Sequence, residues 1–173
     1  MQEVKLPHAI DPVRAAQKRL SYVGIVAAQQ LPRLNDVAPL VGPAQVELDC
    51  LIDAQKLPVI KGRISVRVQQ ECQRCGSPLE QALDIPFSYC AVAAGDDETV
   101  IPEAYDPVEL DDNGELDLHQ LLEDELLLAL PLVPRHDVAD CSLDPKAMTF
   151  GEIPEEATRR NPFEALSQLK KDR

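Results

Sequence analysis

Tryptophan is absent from this 173-residue chain, which holds only three Phe and three Tyr. So few flat rings leave little from which to build the base-stacking platforms of single-strand nucleic-acid binders. The seven glycines, at 24, 42, 62, 76, 95, 114 and 151, never cluster. That excludes the P-loop and the dinucleotide fingerprint, both of which need closely spaced glycines to bring backbone amides onto phosphate. The three histidines (His8, His119, His136) have no Ser or Cys beside them in a hydrolase motif, and no nucleophile elbow occurs. We therefore expect no catalytic residues and no small-molecule substrate. Apolar runs stay as short as that from Leu126 to Leu130, far below the length that spans a bilayer, and the N-terminal MQEVKLPHAI lacks the apolar core of a signal peptide. The expectation is a cytoplasmic protein with no membrane contact. Its five cysteines, an odd number at irregular spacing, suit reduced thiols better than a disulfide framework.

Positive charge is missing from one long stretch. No Lys or Arg lies between Arg74 and Arg135, whereas residues 76 to 134 carry 15 Asp and Glu. Against a formal net charge of −13, the rest of the chain is therefore mildly basic, at +2, and residues 1 to 74 alone reach +3. Such polarity along the sequence prepares two different partner surfaces, a cationic partner for the acidic block and an anionic one for the remainder. A chain of this length buries roughly 70% of its unfolded surface, so it reads as a single domain over 1 to 173 whose stability requires neither disulfide nor metal.

Asp11 followed by Pro12 is a strong helix opening, because the carboxylate caps free amides and Pro at the first position gives up no needed bond. Residues 30 to 44, with three prolines and a glycine, read as a loop with at most one helical turn. From Gln45 the period changes to two. Val46, Leu48, Cys50 and Ile52 alternate with polar residues, as do Ile60, Gly62, Ile64, Val66 and Val68, and then Leu79, Leu83, Ile85, Phe87 and Tyr89. This is the pattern of an antiparallel meander with one buried face. Residues 93 to 115 form an acidic, partly mobile excursion in which only PVEL at 107 to 110 reads as a strand. Leu116 to Leu130 is the strongest helix, with Leu118, Leu121, Leu122, Leu128 and Ala129 on one stripe and Glu125 within it. Pro131 and Pro134 end it. Residues 158 to 173 read as a C-terminal short helix or tail. The expected architecture is α+β: an antiparallel sheet of three to four strands, the Leu-rich helix packed on its apolar face, and short helices at both ends.

Three candidate sites emerge. Cys72 and Cys75, two residues apart and followed by Gly76, can chelate one tetrahedral ion from a tight knuckle, and His136 and Cys141 are the nearest further donors in kind. The same pair also fits two unliganded reduced thiols, or a redox-active couple, although such couples sit at strand-to-helix junctions and here a strand follows. Lys61, Arg63 and Arg67 share the polar face of one strand and Arg74 extends the line, a stripe suited to RNA phosphates or to an acidic partner. Asp111, Asp112 and Glu115 close the acidic excursion and suit a basic one.

Five segments carry a family resemblance: KLPHAIDPVRAAQKRLSYVG at 5 to 24, ECQRCG at 71 to 76, PEAYDPVELDDNGELDLHQLLEDELLLALPLVPRHD at 102 to 137, FGEIPEEA at 150 to 157 and NPFEALSQLK at 161 to 170. Through them the chain closely resembles the bacterial YceD family, the large ribosomal RNA subunit accumulation proteins. The resemblance implies a non-enzymatic ribosome-biogenesis factor that supports synthesis, processing or stability of large-subunit 23S ribosomal RNA. Charge then offers two routes, direct RNA contact through the 1 to 74 region or docking of a basic ribosomal or assembly protein on the acidic block. Some members of the family look richer in cysteine after the Leu-Pro segment, where this chain offers His136 and Cys141. A zinc ion is the cofactor that the donor set would take.

Overall fold

The computed structural model describes residues 5–93, 101–143 and 151. The expected 158–173 helix or tail, and residues 94–100 of the acidic excursion, lie outside them.

Asp11 opens α1 (Pro12–Lys18) as its composition requires, its carboxylate accepting from the Arg14 amide at 2.9 Å. Pro12, Ala15 and Ala16 are the buried residues of this helix. Ahead of it, β1 (Ala9–Ile10) is a two-residue strand, and after it come β2 (Ser21–Val26), a 3-10 turn at Ala28–Gln30 and α2 (Pro32–Val37). Three long strands follow, β3 (Ala44–Ile52), β4 (Pro58–Glu71) and β5 (Pro78–Val92), then β6 (Asp106–Glu109), β7 (Leu116–Asp117) and α3 (Leu118–Ala129).

The fold is α+β, but its sheet has five strands in the order β2-β3-β4-β5-β6 and is mixed, with β5 and β6 parallel; β1 and β7 add a separate antiparallel pair. This corrects the expectation of three to four antiparallel strands. β2 escapes sequence reading because it is an edge strand that leaves apolar Val23 exposed, so SYVGIV shows no alternation of polar and apolar residues. The parallel step is invisible locally as well. The ends of β5 and β6 are separated by residues 93–105 in sequence, the dozen or so residues that a parallel pairing needs. The 30–44 segment also holds more order than a loop, since Pro32 starts the six-residue α2.

Most of the alternating set turns inward, from Val46 and Leu48 through Ile60 and Ile64 to Leu83, Phe87 and Tyr89, whereas Ile52 at the end of β3 is exposed. The inward residues share one hydrophobic core with Leu118, Leu122 and Leu126 of α3 and Leu31 and Leu34 beside it. The buried stripe of α3 thus runs through every fourth residue, and Leu128 is 82% exposed where the expected stripe put it inward. Pro131 and Pro134 lie beyond this helix, and residues 131–143 contain neither helix nor strand. Glu125, inside the expected stripe, accepts a hydrogen bond from the Tyr89 hydroxyl at the edge of the core.

Candidate metal centre and charged faces

The cysteine knuckle closes the turn between β4 and β5. Gly76 makes the tightness affordable to the backbone: its φ of 71° lies in the left-handed region, and its amide bonds the Cys72 carbonyl at 2.8 Å while the Cys72 amide bonds the Ser77 carbonyl at 2.9 Å. Onto this turn folds the chain that leaves α3. The Gln73 amide donates to the Pro134 carbonyl at 2.9 Å, and Arg74 Nη2 donates to the carbonyls of His136 at 2.9 Å and Asp137 at 3.1 Å.

The result brings together all four residues that the sequence offers as soft donors here. One ligand atom from each of Cys72, Cys75, His136 and Cys141 lies within 4.8 Å of the others. Cys72 is buried and the other three are half-buried. Cys75 Sγ and His136 Nδ1 are 3.5 Å apart, while His136 Nε2 stands 3.1 Å from the Pro78 carbonyl oxygen. That carbonyl can only accept, so Nε2 carries the proton and, in the neutral ring, the Nδ1 lone pair faces the thiols. Arg74 Nε donates to Cys141 Sγ at 2.9 Å and the His136 amide donates to Cys72 Sγ at 3.4 Å. Hydrogen bonds from the Ser142 hydroxyl, then from the Ser77 amide and hydroxyl, lower the Cys75 thiol to about 5. Burial pushes Cys72 up, but amides of His136, Arg74 and Cys75 outweigh it and the thiol ends below its ordinary value. The Cys75 and Cys72 sulfurs in turn raise the imidazole of His136. This is a local environment built to hold sulfur as thiolate, in contrast to Cys50, which burial and the neighbouring Asp49 push up to about 11.

The basic stripe is present but occupied. Arg63 Nη1 pairs with Asp84 at 2.5 Å, Arg67 Nη1 pairs with Glu80 at 3.2 Å, and the Lys61 ammonium lies 5.0 Å from the Tyr105 ring centre. Register adds further acid, because Glu47 and Asp49 of β3 stand opposite Arg63 and Lys61. Each cation of β4 therefore has carboxylates or an aromatic face around it. Arg74, which the sequence places at the end of the stripe, bends over the cysteines instead.

The acidic residues assemble differently. Asp111 organises the turn before β7: its carboxylate accepts from the amides of Asn113 at 2.9 Å and Glu115 at 2.7 Å, and donation from the Glu115 amide is the main reason its acidity is strengthened. Asp112 and Glu115 are exposed. Between this turn, β6 and α3 runs a groove of about 380 Å³ whose apolar lining (Val108, Leu110, Leu121) is ringed by Glu109, Asp111, Glu115, Asp117 and Asp124. Sequence reading placed the acids but missed the groove, because Leu121 read there as part of the inward helix stripe and Leu110 only as the end of a strand.

A further ion pair was also out of reach of sequence. Buried Glu123 of α3 accepts from Arg33 Nε at 2.7 Å and from the Leu34 amide at 3.1 Å. It caps α2 from a distance of 89 residues in the chain, as no side chain at Leu31 does so locally.

Comparison with known proteins gives concordant results. The family model described as "Large ribosomal RNA subunit accumulation protein YceD" matches residues 60–170. A protein of that name from Haemophilus influenzae is 46% identical over 172 residues, covering 98% of this chain and 99% of its own length. No solved structure matches the chain.

Proposed function

The chain belongs to the large ribosomal RNA subunit accumulation protein YceD family, and from that premise we propose that it is a non-enzymatic cytoplasmic factor that supports accumulation of large-subunit ribosomal RNA by engaging a basic ribosomal or assembly protein. Among the described residues, no helix is long and apolar enough to cross a membrane. One observation carries the choice between protein and RNA. The four cations that the sequence singles out for phosphate, Lys61, Arg63, Arg67 and Arg74, all have partners inside the molecule, whereas the groove beside α3 combines apolar and acidic lining. Phosphate would have to displace Asp84 and Glu80 from Arg63 and Arg67, and would meet the repulsion of Glu47 and Asp49 alongside. A basic segment with apolar side chains meets no such opposition, and complementary potentials speed its encounter and select against acidic competitors.

The test replaces Glu109, Asp112 and Glu115 with lysine, sparing Asp111 because its carboxylate holds the turn. We expect the triple variant to fold normally and to lose at least about tenfold in affinity for the basic large-subunit proteins that the unmodified chain retains, a loss of about 1.4 kcal/mol or more. Cells carrying the variant should accumulate less large-subunit ribosomal RNA. The companion variant, Arg63→Glu with Arg67→Glu, should leave crosslinking to ribosomal RNA unchanged. Loss of that crosslinking, with recovery of basic proteins undiminished in the lysine variant, would transfer the function to the sheet face and to RNA.

A further inference from the structure

We propose that Cys72, Cys75, His136 and Cys141 bind one zinc ion in a closed tetrahedral centre that staples the segment after α3 to the β4–β5 turn. This inference is independent of the partner reading above.

The geometry is that of a tetrahedron slightly relaxed. With Zn–S bonds of about 2.3 Å and Zn–N bonds of about 2.0–2.1 Å, the edges of a zinc tetrahedron are roughly 3.8 Å between sulfurs and roughly 3.6 Å between sulfur and nitrogen. Cys75 Sγ to His136 Nδ1, at 3.5 Å, already has the length of such an edge. The remaining separations, none above 4.8 Å, close to it with side-chain adjustments of about an ångström.

Three features separate this cluster from an accidental grouping. The donors come from two segments about 60 residues apart, and the backbone bond from Gln73 to Pro134 together with the Arg74 guanidinium bonds to the His136 and Asp137 carbonyls holds those segments in register. The Pro78 carbonyl fixes the imidazole so that its lone pair faces the sulfurs, the orienting role that carbonyls and carboxylates play behind metal-ligating histidines. Finally, three thiolates around a divalent ion leave one net negative charge, and the Arg74 guanidinium lies against Cys141 to offset it.

The donor chemistry chooses the metal and the role. Soft sulfur with one imidazole in tetrahedral array suits zinc, and a full set of four protein ligands leaves no position for water or substrate, so the centre is structural rather than catalytic. A redox couple would require only Cys72 and Cys75. It would give no reason for His136 and Cys141 to converge on the same point. Residues 131–143 contain neither helix nor strand, and a bound ion would reinforce the hydrogen bonds that tie them to the β4–β5 turn.

The experiment uses the full chain, purified reduced and without a metal-chelating tag. Elemental analysis should find one zinc per chain, and replacement by Co²⁺ should give the absorption of a tetrahedral thiolate site. Cys141→Ser and His136→Ala should each weaken zinc binding by about 100-fold or more, since loss of even an outer-shell partner costs 10–100-fold. His136→Cys should keep one metal and shift the Co²⁺ bands as a fourth sulfur enters. Should a variant fail to fold, the unmodified chain answers alone. Zinc should shield Cys72, Cys75 and Cys141 from iodoacetamide, and should slow proteolysis between Leu132 and Asp140, while buried Cys50 and Cys90 resist with or without metal. The proposal is overturned by a folded, reduced chain that takes up no zinc on titration, by affinity unchanged in Cys141→Ser, by shielding of Cys72 and Cys75 without Cys141, or by a Cys72–Cys75 disulfide forming in glutathione buffer with zinc present.

Discussion

Replacing Gly62 with alanine will destabilise the protein by about 3 kcal/mol or more, at the upper end of what overpacking a core normally costs. Gly62 sits in the middle of β4, between Leu48 of β3 and Phe87 of β5. A Cβ there would stand 2.5 Å from Phe87 Cζ, 2.6 Å from the Glu47 carbonyl oxygen and 2.8 Å from Leu48 Cβ. The ring of Phe87 can swing aside, but the carbonyl belongs to the β3–β4 ladder and cannot move without breaking strand pairing. The penalty should therefore persist when Phe87 is shortened to leucine, a control that removes one of the three collisions and leaves the other two. Urea unfolding followed by circular dichroism measures both. A loss below about 1 kcal/mol in Gly62→Ala would mean that the central strands yield far more easily than close-packed interiors do.

Glu123→Ala should be the next most damaging change, at about 2–3 kcal/mol. The carboxylate is buried and makes two distinct attachments, one to the Arg33 guanidinium and one to the Leu34 amide in the first turn of α2. Arg33 is half-exposed and also bonds Asp124, so water and that neighbour will take over much of its solvation. The Leu34 amide has no such recourse, because Leu34 is fully buried and the preceding Leu31 has no side-chain acceptor. Most of the loss thus comes from an orphaned helix amide, with the cavity left by the side chain adding to it. Glu123→Gln, which keeps an acceptor of the same shape, should recover more than half of the stability. If Gln and Ala are equally damaging, charge and not the cap holds α2 to α3. The same pair of variants should leave zinc content unchanged, since the α2–α3 contact and the cysteine knuckle share no residue.

Much of the architecture was legible because it is written in short-range periodicity. Alternation from Val46 to Tyr89 identifies three strands and their buried faces, since a strand exposes successive side chains to opposite sides whatever its neighbours are. Asp11 and Pro12 mark a helix start for equally local reasons. The Leu-rich helix was legible in extent and less so in orientation. Six leucines between 118 and 128 permit several stripes, and packing against β5 and α2 selects the one through Leu118, Leu122 and Leu126. Glu123 was unreadable for a related reason: its acceptor role depends on amides that lie far away in sequence.

The sites divide along the same line. Composition by itself determined that this chain has an acidic block without a single counter-charge, no phosphate cradle, and a pair of cysteines at chelating distance. Tertiary structure alone decided what each can do. It set Asp84 and Glu80 across from Arg63 and Arg67, so a stripe that looks open in sequence is compensated in space. It also carried His136 and Cys141 from beyond α3 back to the β4–β5 turn, so a two-residue knuckle gained its other two donors. The physical reason is the range of the interactions involved. Dihedral preference and hydrophobic period act over a few residues, whereas electrostatic pairing and metal chelation require close approach of atoms whose separation along the chain is set only by the path of the fold.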